Sequence, residues 1–186
     1  MDTFLNIAVT ILSWSIFGQH VWATRRHFVP SPLEGGARFL VALVWASVFG
    51  FTILLWIGSQ PIFVRIVGFA IELLSLALFR WAITASRQAQ LRFAFDPSGP
   101  HSLLQDGPYR HIRHPFYSSY LLFWAGWAVA TWSPLALPSM AAFVAIYISA
   151  ARGEERRFAA TNMSQDYLDY RRRAGLFWPV PFRHRP

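Results

Sequence analysis

The chain has 186 residues, 54% hydrophobic and 14% charged, with a formal net charge of +8. A soluble domain carries about 25% charged residues, so this chain lacks the polar surface a soluble globule needs, and its hydrophobicity excludes disorder. It has no Cys, which excludes a disulfide scaffold, a thiolate metal site and a cysteine nucleophile.

No Asp, Glu, Lys or Arg lies between Asp2 and Arg25. A bilayer core takes about 20 apolar residues per spanning helix, so residues 4–23 read as a first span. No basic region precedes it, and a cleaved signal peptide is not expected. The charge-free stretch between Arg38 and Arg65 holds a second span at 39–58, closed by Gly58-Ser59-Gln60-Pro61. A third covers 61–85, with Arg65 towards one end, Glu72 at mid-depth and Arg80 towards the other. An ionisable group at mid-span is a functional candidate by default. Arg65 and Arg80 do not reach Glu72 along a straight helix, so its partner comes from another helix or from water. A hydrogen-bonded structural carboxyl is the expected role.

Residues 87–115 are polar and carry the turn signals Asp96-Pro97-Ser98-Gly99-Pro100 and Asp106-Gly107-Pro108. Residues 116–151 are again free of Asp, Glu, Lys and Arg, with Ser133-Pro134 and Pro138 in the middle. They read as two helices in a tight hairpin, each of about 14–17 residues and short of a full crossing. The last 35 residues are basic and leave the membrane. The expected architecture is therefore all-α: one integral membrane domain over 1–186, with three spans in 1–85 and about five in all. Arg25, Arg26 and Arg38 flank one loop and Arg87, Arg92, Arg110 and Arg113 follow the third span, while the other turns are uncharged. The positive-inside rule then puts the N-terminus outside and the C-terminus in the cytoplasm. All basic residues are Arg, which fits a GC-rich genome; the expected location is a bacterial cytoplasmic membrane. Because they sit at membrane boundaries, they argue for lipid contact and against nucleic-acid binding.

Three His, two Arg and two Tyr fall between His101 and Tyr117, just before a hydrophobic helix. Pro115 suits the first turn of that helix, whose free N–H groups and dipole favour an anion such as a carboxylate, with Arg113 and His114 adding donors. A positive-inside anchor with interfacial aromatics explains the same composition. His111 and His114 lack the further ligands a metal site needs. Arg152-Gly153-Glu154-Glu155 follows the last apolar run. Adjacent carboxylates at a membrane exit suit hydrogen bonding to ribose hydroxyls or an ammonium group. Taken alone, the pair reads more readily as the solvated first turn of an amphipathic helix, with Glu154 and Arg157 at i, i+3 worth about 0.2–0.5 kcal/mol. Tyr167 and Tyr170 share one face of a short helix on the membrane surface, with their rings towards lipid or the domain.

Together these pieces resemble the isoprenylcysteine carboxyl methyltransferase family and its relatives, the membrane phospholipid N-methyltransferases. The resemblance runs through His101-Ser102-Leu103-Leu104, Gly107-Pro108-Tyr109, Arg113-His114-Pro115-Phe116-Tyr117, Glu154-Glu155 and Tyr167-Leu168-Asp169-Tyr170, in order, over residues 101–182. It implies a methyltransferase with S-adenosylmethionine as cofactor, bound on the cytoplasmic side in residues 86–186 and closed in by a C-terminal helix. By the same resemblance His101, Ser102, Leu103, Leu104 and Tyr109 would wrap the adenosine, and Arg113, His114, Pro115, Phe116 and Tyr117 would hold the methionine end. Arg152, Glu154 and Glu155 would serve as catalytic residues where cofactor meets acceptor. The acceptor would be lipophilic: an isoprenylcysteine-like carboxylate, a thiol or a lipid amine. Ser119 stands where family members often have Gly. The rival resemblance is to NADPH-dependent sterol or steroid reductases, which typically have Asn before the motif Tyr where this chain has Phe116. A non-catalytic membrane protein is the reading from another class.

Overall fold

The computed structural model describes residues 2–26, 35–87, 103–161 and 163–180. Its long helices are α1 (Asp2–Arg26), α2 (Gly35–Ile57), α3 (Ile62–Ser86), α4 (Pro115–Thr131) and α5 (Leu137–Ala159), followed by a short α6 (Ser164–Arg173). Gly107–Arg110 and Pro134–Ala136 form single 3-10 turns, and no strand is present among the described residues. α1, α2, α3 and α5 are each long and apolar enough to cross a membrane: this is an integral membrane protein. α4, with 17 residues, is about 25 Å long, below the roughly 30 Å of a hydrocarbon core.

The hairpin differs from expectation in one arm. α4 stops at Trp132, which takes a left-handed φ of 48°, a conformation uncommon outside Gly. α5, however, runs past Ala151 to Ala159 and has 23 residues. The charges at Arg152, Glu154 and Glu155 do not end the helix, because Glu154 and Glu155 find partners from another part of the chain.

Polar rungs hold α1 parallel to α3. At one end the Arg65 guanidinium donates to the Asn6 side chain (3.0 Å), the Asp2 backbone carbonyl (3.1 Å) and the Gln60 carbonyl (2.9 Å), and pairs with the Asp2 carboxylate (2.5 Å). At mid-depth Ser13 Oγ lies 2.8 and 3.0 Å from the two Glu72 oxygens and 2.9 Å from the Val9 carbonyl. At the other end Arg80 Nε donates to Gln19 Oε1 (3.2 Å). Glu72 thus has its partner on another helix, as its spacing from Arg65 and Arg80 requires.

α3 and α4 run antiparallel in the closest helix contact. A Cβ on Gly68 would fall 2.5 Å from the Gly126 carbonyl oxygen, and one on Gly126 would fall 2.8 Å from that of Gly68. Small residues permit such an approach in a membrane, where packing rather than hydrophobicity drives association. Ser75 Oγ donates to the Ser119 carbonyl (2.7 Å) further along the seam. Rings of Phe51, Trp124, Trp127 and Phe143 fill the core between α2, α4 and α5. With this topology the C-terminal ends of α3 and α5 and the N-terminal end of α4 meet at one end of the bundle, and the polar segments 103–114 and 164–178 gather there.

Candidate functional site

The site forms where residues 107–117, the end of α5 and the tail after α6 converge. Gly107 has a φ of 59°, and a Cβ there would lie 2.7 Å from that of Ala85, so Gly lets the turn press onto α3. The Tyr109 N–H closes the turn on the Asp106 carbonyl (3.1 Å). Ile112 then pairs in parallel with Gly175: Arg113 N–H donates to the Gly175 carbonyl (2.8 Å), His114 N–H to that of Leu176 (3.2 Å), and Gly175 N–H to that of His111 (3.0 Å). A side chain on Gly175 would collide with the Trp178 carbonyl at 1.8 Å, so the tail turns back sharply only with Gly at this position. Ser118 Oγ secures the tail through the Phe177 carbonyl (2.8 Å), and the Tyr170 hydroxyl donates to the Tyr109 carbonyl (2.6 Å).

This frame aims four charged or ionisable side chains at one another. Arg113 Nε donates to Glu155 Oε1 at 2.8 Å, with both side chains 10% exposed. The rest of its guanidinium donates to the Ala174 and Arg171 carbonyls, so one Arg ties α5 to the tail. Glu154, 27% exposed, is gripped by two rings: the Tyr117 hydroxyl donates to Oε1 (2.5 Å), and His114 Nδ1 lies 3.2 Å from Oε2. His114 Nε2 is buried, 3.8 Å from Glu155 Oε1, without a hydrogen bond. Burial disfavours the imidazolium, but the contact with Glu154 and the negative charges of Glu154 and Glu155 outweigh it and raise the His114 pKa above 6.5. The Tyr167 and Tyr170 hydroxyls titrate well above the usual phenol value, chiefly because they are buried.

The arrangement brings both signs of charge together at 2.8–3.8 Å, a grouping suited to charge-assisted hydrogen bonds with a ligand of either sign.

Arg113, His114, Tyr117, Glu154 and Glu155 are therefore brought together, across 37 to 42 residues of chain. Glu154 does not turn to solvent in the manner of a surface i, i+3 pair; its partners come from the segment before α4. Pro115 opens α4, and Phe116 turns away from the carboxylates to pack on Phe79 of α3, with ring centroids 5.6 Å apart. Leu103 joins Tyr167, Tyr170 and Ala174, while Leu104 joins Tyr109 and Phe116; both lie on the flank of the cluster. Arg152 is exposed on α5, outside the contacts of the cluster. His101 and Ser102 lie outside the described residues. Tyr147 and Phe177 also border the cluster and belong to none of the sequence motifs. Tyr147 precedes Glu154 by seven residues, two turns of one helix face, and that spacing was the available signal.

Residues 63–165, more than half of the chain, match the sequence model of the phospholipid methyltransferase family. The match runs from α3 into α6 and includes Arg113 to Tyr117 and the Glu pair. No curated protein matches the chain.

Proposed function

Because the chain belongs to the phospholipid methyltransferase family, we propose that it transfers a methyl group from S-adenosylmethionine to a lipophilic acceptor at one face of the membrane. The observation that carries this reading is the cluster of Arg113, His114, Glu154 and Glu155 at the end of a membrane bundle. Its residues fit the methionine end of that cofactor. His114 Nε2 is a buried group with no hydrogen-bond partner, suited to a carboxylate. Glu154 is accessible enough to accept from an ammonium. The family's activity is methyl transfer, and its usual donor carries both groups. On this reading residues 86–186 hold the cofactor and residues 1–85 shape the acceptor's approach, with the C-terminus in the cytoplasm, the side the Arg distribution favours. A bacterial cytoplasmic membrane is the proposed location.

When bound, S-adenosylmethionine supplies an electrophilic methyl on a sulfonium. The protein's own task is to fix the acceptor about 3–3.5 Å from that methyl and to keep water out. Arg113 and His114 would orient the carboxylate, Glu154 and Glu155 the ammonium, and the rings of Tyr117 and Phe177 would shield the cluster. A carboxylate or thiolate acceptor needs no base. A lipid ammonium first gives up a proton, and Glu154, outside the Arg113 ion pair, is the carboxylate placed to take it. The acceptor would enter from the bilayer between helices, the cofactor from the aqueous side. His101, Ser102, Leu103, Leu104 and Tyr109 remain the residues proposed for the adenosine, and Arg152, with Glu154 and Glu155, for the boundary with the acceptor.

Calorimetric titration of detergent-purified protein with S-adenosylhomocysteine, with NADPH as the paired control, tests the reading. Binding of the nucleoside alone, lost in His114→Ala and Glu154→Ala variants that keep their thermal transition, is the expected result. Binding of NADPH alone overturns it in favour of a reductase, and undiminished nucleoside binding by both variants overturns the site.

A further inference from the structure

We propose that Tyr147 of α5 is a positioning residue, which holds the Tyr117 ring in place and through it the two-ring grip on Glu154. The inference deepens the methyl-transfer reading and relies on it only for one of its two probes.

Three rings form a continuous stack. His114 and Tyr117 lie with centroids 5.4 Å apart and planes within 9°, and Tyr117 and Tyr147 lie 5.4 Å apart at 23°. The first two rings each contact one oxygen of Glu154. The third touches neither carboxylate, yet it covers the face of Tyr117 directly. Tyr147 also meets Tyr120 at 5.7 Å, one turn along α4 from Tyr117, so it wedges between α4 and α5 at the base of the site. It is buried and stands two turns before Glu154, so one helix carries both the carboxylate and the ring that sets the carboxylate's partner. A tyrosine χ1 well is a choice among three staggered positions. With the Tyr147 face removed, Tyr117 is free to leave the well in which its hydroxyl meets Glu154.

An ordinary core aromatic in the same place would support the fold without this coupling, and the two roles separate in a double-mutant cycle. Tyr147→Phe keeps the stack and is expected to bind S-adenosylhomocysteine within about twofold of the parent, whereas Tyr147→Leu loses about tenfold or more. Placed on Tyr117→Phe, which already lacks the hydroxyl contact, Tyr147→Leu is expected to add little. Losses that simply add, or parent-like binding by Tyr147→Leu, overturn the proposal. If Tyr147→Leu does not hold its fold, Tyr147→Met fills most of the volume without a ring face and takes its place.

The second probe needs no ligand. The charged groups facing His114 are Glu154 and Glu155, the latter shared with Arg113. An NMR titration of the His114 ring in the ligand-free protein should shift in Tyr147→Leu and stay at the parent value in Tyr147→Phe. An unmoved titration in Tyr147→Leu overturns the positioning role. A moved titration in a protein that binds no S-adenosylhomocysteine leaves the positioning role standing and rejects the methyl-transfer reading instead.

Discussion

Two buried polar networks join helices in this protein, one between α1 and α3 and one between α4, α5 and the tail. The first is all but closed: Arg65 donates to several partners and leaves only its Nε without one, and among the described residues Glu72 meets Ser13 alone. The second is open: Glu154 is partly accessible, His114 Nε2 has no hydrogen bond, and both signs of charge meet in it. Polar residues inside a membrane bundle are costly unless satisfied. A closed network therefore reads as a clamp that sets helix register, and an open one as a site with capacity left for a ligand.

Arg113→Ala attacks the open network where it is most buried and gives the largest effect. Removing one member of a buried pair leaves the other uncompensated, at about 3–5 kcal/mol. Because Arg113 also binds the tail carbonyls, the thermal transition in detergent should fall markedly and proteolysis should reach the tail after Arg173. An unchanged transition would mean that the cluster contributes nothing to closing the tail.

A smaller effect follows from His114. Its folded-state pKa is raised above 6.5, so the imidazolium is favoured in the fold. That stabilisation is fully present below about pH 6.5 and is lost as pH rises through the raised value. The thermal transition of the parent should fall over that window relative to His114→Gln. Parallel pH profiles for the two proteins would remove the imidazolium from the network.

Glu72→Gln gives the smallest effect and sharpens the comparison from the closed side. The amide keeps the shape of the carboxyl and supplies a donor to Ser13 Oγ, so stability should change by about 1 kcal/mol or less and nucleoside binding not at all. A large loss of binding would move Glu72 from the clamp to the site.

The spans were legible because freedom from charge over about 20 residues is a local property of the sequence. α1, α2 and α3 lie within a few residues of their expected limits. The end of α5 was not legible. Arg152, Glu154 and Glu155 read locally as a membrane exit, and the helix continues because partners arrive from residues 113–117. The polar pieces at Arg113–Tyr117 and Glu154-Glu155 were singled out by composition and by resemblance, but not that Arg113 would take Glu155 while Tyr117 and His114 shared Glu154. An aromatic in an apolar run is unremarkable by itself, and Tyr147 stands out only by its seven-residue spacing from Glu154.

By itself, then, the sequence determined which segments are helical, which of them suit a bilayer and where the chemistry-bearing residues cluster along the chain. Length, apolarity and freedom from charge are properties of each segment alone. The tertiary structure decided which charges face one another. That outcome depends on the close approach of α3 and α4 at Gly68 and Gly126 and on the turn at Gly175 that lays the tail against residues 111–114. Pairing energy falls steeply with distance, so contacts of about 3 Å between residues some forty positions apart exist only once the helices have packed.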